Sequence, residues 1–228
     1  MEEQEARKLL VECGNELLDR GLVARTWGNI SCRIDDGHML ITPSGLDYRK
    51  MTTGDIVKMD IVTMEWQGAH KPSSEKGVHA AAYQVYANAG FVIHTHQEYA
   101  TALGIAGADK MDISAQENKM LGGTAVAAYG LSGTKKLSKA VKSGFSSGAE
   151  VVFMVHHGVV IVGGSKDETI EKALLLDRIC RRNCKAELKT ETADGSFDKE
   201  KTLSVLRSVY PFSALAQTPA VLRASYEN

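Results

Sequence analysis

Apolar residues recur at helical spacing at the start of the chain and in short runs after it. Between residues 3 and 20 the apolar side chains fall one helical turn apart, and Gly21 follows where a left-handed residue ends a helix. This pattern predicts an N-terminal amphipathic helix. Residues 29–34 and 38–42 are two short β-type runs on either side of Asp35-Asp36-Gly37, which predicts a β-hairpin because such residues tolerate the backbone angles of its loop.

The rest of the chain alternates strand-like and helix-like segments without an internal repeat. The pattern predicts strands at 56–61, 91–96, 151–155 and 159–162. It predicts helices at 98–105 and 134–144. Two further helices are expected after serine caps, one from Lys71-Pro72-Ser73-Ser74 to about 87 and one from Ser165 to about 188. Between the helix at 98–105 and Tyr129 we expect small strands broken by Gly122-Gly123.

These elements predict one α/β domain over residues 1–228. Strands and helices alternate irregularly and a hairpin occurs, so we expect three layers (αβα). The predicted central sheet is mixed and mostly antiparallel, with helices on both of its faces.

Composition narrows the class of partner. Lys and Arg together number 27 and Asp and Glu 28, so no excess positive charge exists to hold a nucleic acid by counterion release. No apolar run reaches the roughly 20 residues that span a bilayer. The four cysteines form no Cys-x-x-Cys pair. We therefore expect a cytoplasmic protein that acts on a small molecule, with neither a nucleic acid nor a membrane as its partner.

Four of the seven histidines stand in two tight groups at the ends of apolar, strand-like runs. Residues i and i+2 of a strand project from one face, so His94 and His96 can present two imidazoles to the same ion. A third nitrogen from the His156-His157 corner would complete the set of three protein ligands that catalytic zinc uses. Spacing alone leaves a second interpretation open, in which these are core or surface histidines that bind no ion.

Three loops of small residues are candidates for binding an anion. Pro72-Ser73-Ser74-Glu75 stands at a predicted helix start, where unpaired N–H groups and the helix dipole favour a phosphate. Thr26-Trp27-Gly28-Asn29 precedes the first predicted strand, and Thr42-Pro43-Ser44-Gly45 follows the second. Taken alone, Ser73 or Ser74 is more often a helix N-cap than part of a binding site.

Five motifs occur together in the order and spacing of one known family: Gly28-Asn29-Ile30-Ser31, Thr42-Pro43-Ser44-Gly45, Pro72-Ser73-Ser74-Glu75, His94-Thr95-His96 and His156-His157-Gly158. On these motifs the chain resembles the class II aldolase/adducin family, from its N-terminal helix to about residue 188. Within that family the resemblance is greatest to the branch that cleaves L-fuculose 1-phosphate.

The resemblance implies a role for each matching residue. His94, His96 and His157 are implied to hold one zinc ion per subunit, and Glu75 to be the acid/base that also ligates the resting metal. His157 is preferred to His156 because the family ligand directly precedes the glycine. The implied phosphate-binding residues are Gly28, Asn29, Ser44, Gly45, Ser73 and Ser74. His156 and His79 would then support the site or belong to the core, and His79, one helical turn after Glu75, could face the site.

The implied reaction is cleavage of a ketose 1-phosphate to dihydroxyacetone phosphate and an aldehyde. The substrate would be L-fuculose 1-phosphate or a related deoxy-ketose 1-phosphate, with zinc as a Lewis acid and Glu75 as the proton carrier. The alternatives are a pentulose-phosphate 4-epimerase, a decarboxylase of a phosphorylated oxo-acid, for which Lys119 is the nearby cation, and a non-catalytic adducin-like module. The family also implies a homotetramer.

Two positions depart from the family pattern. Family aldolases place a tyrosine where this chain aligns Gln116. A second family tyrosine comes from a neighbouring subunit's C-terminal tail, and Tyr210 is its counterpart here without a motif to anchor the alignment. The acid that protonates the leaving alkoxide is therefore left open.

Overall fold

The computed structural model describes residues 1–23, 26–106 and 111–189. Within these ranges the helices are α1 (Glu3–Asp19), α2 (Lys76–Val85), α3 (Glu98–Ala106), α4 (Ala115–Leu121), α5 (Lys135–Ser146) and α6 (Lys166–Lys189). The strands are β1 (Asn29–Arg33), β2 (His38–Ile41), β3 (Val57–Asp60), β4 (Trp66–Gln67), β5 (Phe91–Thr95), β6 (Thr124–Ala127), β7 (Val151–Met154) and β8 (Gly158–Gly163). In the described ranges, no helix has the length and apolar character needed to cross a bilayer.

These strands form a single sheet in the order β4-β3-β2-β1-β5-β8-β7-β6. Neighbouring strands run antiparallel except for β6 and β7, which run parallel. The predicted mixed, mostly antiparallel sheet is therefore confirmed. Because β5 lies between β1 and β8, the strand that carries His94 is hydrogen-bonded along both edges.

Helices cover both faces of the sheet, as the three-layer prediction requires. Along β5, Phe91 and Ile93 point into one apolar core and Val92 into the other, because side chains alternate across a strand. Helices α1, α3 and α6 complete the first core, and α2 and α5 complete the second. Residues 190–228 lie outside the described part of the chain, so a single domain over 1–228 stays a prediction.

The segment before β6 differs from its prediction. Before the two glycines it contains α4, which ends at Leu121 with Gly122 as its C-cap, and one of the expected small strands, β6, follows them. Ser114 and Glu117 form a capping box: the Ser114 hydroxyl accepts from the Glu117 N–H at 3.2 Å, and the Glu117 carboxylate accepts from the Ser114 N–H at 3.0 Å. Ser-x-x-Glu is the sequence signature of this cap, so the helix was predictable.

Gly158, the first residue of β8, allows that strand to approach β5 at the level of His94. A Cβ atom on Gly158 would lie 2.4 Å from the carbonyl oxygen of Thr95 and 3.1 Å from Cε1 of His94. The nearer atom belongs to the backbone, so a side-chain rotation cannot relieve the clash. The absence of a side chain at this position therefore lets His157, the preceding residue, lie beside His94.

Gly158→Ala is expected to lower the free energy of unfolding by about 2 kcal/mol, because overpacking forces two backbones apart. Gly104→Ala is a matched control in α3, where the added Cβ would have its nearest neighbour at 3.7 Å. The better helix propensity of alanine should stabilise that control by up to about 1 kcal/mol. Urea denaturation measures both, and equal stability of the two variants would contradict the packing argument.

Candidate metal centre and active site

Four side chains that can ligate a metal converge near the end of β5. His94 lies in β5 and His96 just after it, while His157 lies in the turn between β7 and β8 and Glu75 directly precedes α2. One ligand atom from each residue lies within 4.8 Å of the other three. The antiparallel pairing of β5 with β8 brings His157 back to the other two histidines.

Glu75 contacts two of the three imidazoles. Its Oε2 atom is 2.7 Å from Nε2 of His94, and its Oε1 atom is 3.1 Å from Nε2 of His157. The centroids of the three histidine rings are 4.6 to 5.0 Å apart. His94 is fully buried and Glu75 is nearly so. This arrangement can place four ligand atoms around one ion.

The hydrogen bonding of His94 shows that a cation fits this centre. Its Nδ1–H group donates to the carbonyl oxygen of Val159 at 2.9 Å, so Nε2 carries the lone pair when the ring is neutral. Within the described residues, this buried Nε2 atom has no hydrogen-bond partner. It nevertheless faces a carboxylate oxygen at 2.7 Å. Two lone pairs at this distance require a proton or a metal ion between them, and the donor set of imidazoles and carboxylate suits zinc.

The pKa values of these groups shift through burial and through mutual contact. Burial and the charge on His94 lower the pKa of His96 to about 2 and that of His157 to about 4. Burial also opposes ionisation of His94 and Glu75, but their contact outweighs it: the pKa of His94 is raised, and that of Glu75 is held well below its usual range. His96 and His157 are thus neutral at physiological pH, the form that ligates metals.

Glu75 is the N-cap of α2, so the predicted serine N-cap is wrong. The helix begins at Lys76, and the Glu75 side chain makes no capping hydrogen bond. The hydroxyl of Ser73 instead accepts from the backbone N–H of Glu75 at 3.2 Å. Because the carboxylate of Glu75 does not serve the helix end, it is available to the histidines.

Ser132 contacts the centre, and the sequence analysis misses it. Its hydroxyl donates to Oε1 of Glu75 at 2.8 Å from the loop between β6 and α5. The local pattern Ser132-Gly133-Thr134 is typical of a helix start, and Thr134 does cap α5 by accepting from the Leu137 N–H. The sequence carries no signal for the contact with Glu75, which is 57 positions away along the chain.

Two of the three predicted anion loops are hydrogen-bonded to each other. The N–H of Ser44 donates to the carbonyl of Lys71 at 3.0 Å, and the N–H of Ser73 donates to the carbonyl of Thr42 at 3.1 Å. These bonds hold residues 42–45 beside residues 71–74, at the N-terminal side of α2. The two loops therefore reach the same end of the helix that bears Glu75.

The third loop passes directly behind His94. Gly28 has a φ of 84°, and a Cβ atom there would lie 2.6 Å from the carbonyl oxygen of His94, so a larger residue would be displaced. Of the predicted phosphate-binding residues, Asn29 and Ser73 are buried, Gly28 is half-buried, and Ser44, Gly45 and Ser74 are exposed. Their role in binding phosphate stays a prediction.

Asn29 connects this loop to a buried histidine of α2. It lies directly opposite His94 in the β1–β5 pair, so the two side chains share one face of the sheet. Oδ1 of Asn29 is 2.5 Å from Nε2 of His79, which is fully buried. Burial lowers the pKa of His79 to about 3, so its ring is neutral. The neutral, buried ring of His79 therefore contacts Asn29 from the side of α2.

Most of the chain matches the sequence model of one protein family. The model of the class II aldolase and adducin N-terminal domain matches residues 8–184, a segment that contains the complete centre. The chain belongs to the class II aldolase/adducin family. The resemblance inferred from the five motifs is thereby confirmed.

Relatives in the class II aldolase/adducin family include aldolases and an epimerase. The chain is 31% identical over 175 residues to the 5-methylthioribulose-1-phosphate/5-deoxyribulose-1-phosphate aldolase of Rhodospirillum rubrum, over 76% of this chain and 77% of that one. It is 39% identical over 106 residues to the L-ribulose-5-phosphate 4-epimerase of Salmonella paratyphi C, over 46% of each chain. A solved L-fuculose 1-phosphate aldolase superposes with a TM-score of 0.72 at 26% identity, over 91% of this chain and 97% of that one.

The other residues named in the sequence analysis of this aldolase-family chain are not part of the four-ligand cluster. Gln116 and Lys119 are exposed on α4, the helix that precedes β6. His156 is exposed, has a φ of 59°, and faces the ring of Tyr129 with 6.3 Å between centroids. Tyr210 lies outside the described residues.

The convergence of four candidate ligands predicts that each chain binds one metal ion. The chain purified without a chelator should contain about one transition-metal ion. His94→Ala should lose that ion, because it removes the buried nitrogen that faces Glu75 at 2.7 Å. His38→Ala is the control, since His38 pairs with Asp35 on the β-hairpin. Elemental analysis by plasma mass spectrometry decides the matter, and full metal content in His94→Ala would refute the assignment.

Proposed function

We propose that the chain is a zinc-dependent aldolase that cleaves a deoxy-ketose 1-phosphate to dihydroxyacetone phosphate and an aldehyde. One observation carries this proposal: Glu75 converges with His94, His96 and His157 within 4.8 Å. Buried imidazoles and a carboxylate are costly to desolvate without a partner. A non-catalytic, adducin-like module would have no need of them, so catalysis is the better explanation.

Zinc is our proposal for the metal, with one ion per subunit. His94, His96 and His157 would hold it, and Glu75 would be the fourth protein ligand at rest. When bound, the ion supplies a Lewis acid that stabilises negative charge on substrate oxygens.

Glu75 is proposed to move the proton at C3 of the substrate. When the C3–C4 bond breaks, the C4 hydroxyl loses its proton as C4 becomes the aldehyde, and the electron pair remains on the C1–C3 fragment. C3 must then gain a proton to give dihydroxyacetone phosphate. The hydroxyl of Ser132 donates to Glu75 at 2.8 Å and so restricts the orientation of its carboxylate. The low pKa of Glu75 keeps it ionised, ready to accept a proton in the reverse direction.

The phosphate is proposed to bind where the three loops meet. Ser44, Gly45, Ser73 and Ser74 would supply hydroxyl or N–H donors, and Asn29 would add a side-chain amide. Because these loops border the end of α2 that bears Glu75, an anchored phosphate would hold C3 of the substrate near the carboxylate.

The class of sugar is proposed from two features. The aldolase relatives are named for 5-methylthioribulose 1-phosphate, 5-deoxyribulose 1-phosphate and L-fuculose 1-phosphate, ketose 1-phosphates whose far end lacks a hydroxyl. In this chain the loop that carries Ser132 also exposes Tyr129 and Leu131, which are 54% and 66% accessible. An apolar surface at this point would favour the deoxygenated end of such a sugar.

The first alternative is a 4-epimerase acting on a pentulose 5-phosphate. Its support is the 39% identity of a 106-residue segment to L-ribulose-5-phosphate 4-epimerase. An oxo-acid phosphate decarboxylase is the second alternative, and it has less support because its cation, Lys119, is exposed on α4. The epimerase and the aldolase differ in the position of the substrate's phosphate.

A panel of ketose phosphates tests the proposal. The zinc-loaded chain should release dihydroxyacetone phosphate from 5-deoxyribulose 1-phosphate, 5-methylthioribulose 1-phosphate or L-fuculose 1-phosphate. A coupled glycerol-phosphate dehydrogenase assay measures the product. L-ribulose 5-phosphate, which cannot give this product on cleavage between C3 and C4, is the control. Epimerisation of that compound together with no cleavage of any 1-phosphate would establish the alternative instead.

Glu75→Gln separates proton transfer from metal binding. The amide preserves size but cannot accept the C3 proton, so turnover should fall by about 10²–10⁴-fold, as is typical of general acid–base catalysis. Wild-type protein incubated with dihydroxyacetone phosphate in D₂O should exchange one C3 hydrogen stereospecifically, without any aldehyde. Proton NMR follows the exchange, with Glu65→Gln, an exposed acid, as the control. Normal exchange by Glu75→Gln would assign the base to another residue.

A homotetramer is also proposed. Met120 of α4 and Val126 of the edge strand β6 are exposed apolar residues that an adjacent subunit would cover. Light scattering should give four times the 24.7 kDa mass of one chain. A monomer at micromolar concentration would contradict this.

Cytoplasmic location stays a proposal that rests on the cysteine pattern of the sequence.

A further inference from the structure

A buried chain of hydrogen bonds runs from Asn29 into the core between β1 and α2. Oδ1 of Asn29 is 2.5 Å from Nε2 of His79, and Nδ1 of His79 is 2.7 Å from the hydroxyl of Ser31. That hydroxyl is in turn 2.8 Å from the hydroxyl of Tyr83. All four residues are buried, and Ser31 and His79 are fully inaccessible.

One face of α2 organises this chain. Glu75, His79 and Tyr83 follow one another at four-residue intervals, so they lie on the same side of the helix. Asn29 and Ser31 alternate along β1 and therefore share the face of the sheet beneath that helix. The metal-centre carboxylate and the buried chain thus belong to the same helix–strand contact.

The hydroxyls of Tyr83 and Ser31 fix the direction in which the hydrogen-bond chain donates. Burial raises the pKa of its hydroxyl well above the ordinary value, so the hydroxyl keeps its proton. Within the described residues, the hydroxyl of Ser31 is the hydrogen-bond partner of that group. Tyr83 must donate to Ser31, because a buried donor without an acceptor is strongly disfavoured.

The remaining protons follow from this first one. Ser31 donates its single proton to Nδ1 of His79, and burial keeps the His79 ring neutral, so the ring proton lies on Nε2. Nε2–H then donates to Oδ1 of Asn29. In the reverse direction, Asn29 would donate to His79 and the proton of Tyr83 would lose its acceptor. In the first direction alone, the hydroxyl protons of Tyr83 and Ser31 and the ring proton of His79 all have an acceptor.

We propose that Tyr83, Ser31 and His79 act as positioning residues that turn the amide N–H groups of Asn29, and not its carbonyl oxygen, toward the substrate. The inference rests on the proposed function, since the anion to be bound is the phosphate of a sugar phosphate. Asn29 lies opposite His94, beside the centre. With the amide reversed, a carbonyl oxygen would face the anion and repel it.

Ser31→Ala tests this proposal, because it removes the hydroxyl that donates to Nδ1 of His79. Either direction then leaves Nδ1 of His79 without a partner, so the hydrogen-bond chain can reverse. KM for the ketose 1-phosphate should rise about tenfold, equivalent to one lost hydrogen bond, while kcat changes less than twofold. Ser147→Ala is the matched control, because that hydroxyl donates to the carbonyl of Gly144, away from Asn29. Equal KM values for the two variants would overturn the proposal.

A second arm does not require an active aldolase. Inorganic phosphate titrated calorimetrically into the zinc-loaded protein should bind about tenfold more weakly to Ser31→Ala than to wild type. In an Asn29→Ala background the Ser31→Ala change should have less than a twofold effect, because Ser31 acts through Asn29. An undiminished effect in that background would show that Ser31 acts by another route and would overturn the proposal.

A spectroscopic arm reports the direction itself. In protein containing ¹⁵N-histidine, long-range ¹H–¹⁵N correlation should show His79 with its proton on Nε2, and Ser31→Ala should populate the Nδ1–H form. The Nδ1–H form in wild type would overturn the proposal. If no ketose phosphate is cleaved but His79 shows the expected tautomer and phosphate binding responds as stated, the proposed function fails and the positioning role stands.

Discussion

The 2.7 Å contact between His94 and Glu75 is the constraint on which the centre of this molecule depends. When the His94 ring is neutral, both facing atoms carry lone pairs, and because both residues are buried their mutual repulsion is poorly screened. Neither can turn away: His94 is held by the carbonyl of Val159, and Glu75 is held by Ser132. A positive charge between them removes the conflict. The fold therefore creates a position for a cation from residues of four separate segments.

The candidate metal ligands and the candidate anion loops lie in different kinds of structure. The three histidines lie in or beside β5 and β8, at the hydrogen-bonded middle of the sheet, where the backbone has little freedom. The predicted anion loops and Ser132 lie in connecting segments around it. Gly28 and Gly158 make this possible, because each allows a backbone to pass against β5 where a side chain would collide. Rigid strands thus carry the histidines, and loops approach them from outside.

Much of the fold was predictable because the apolar pattern of the strands is strong and local. The hairpin of β1 and β2, the buried run of β5 and the long helix α6 each follow from residues adjacent in sequence. The segment before β6 was assigned wrongly because two glycines were taken to break strands, although the Ser114–Glu117 capping box marks a helix. The N-cap of α2 is Glu75 and not the predicted serine, because the Ser73 hydroxyl accepts from the N–H of Glu75 and so lies before the helix.

The sequence by itself determined the family, the α/β class and the set of residues suited to a metal, because those depend on residue type, spacing and alternation. Tertiary structure alone decided that Glu75 meets His94 and His157, that Ser132 orients Glu75, and that His79 stands behind Asn29. The physical reason is distance along the chain. Contacts between residues tens of positions apart depend on strand order and helix placement, which local periodicity does not encode.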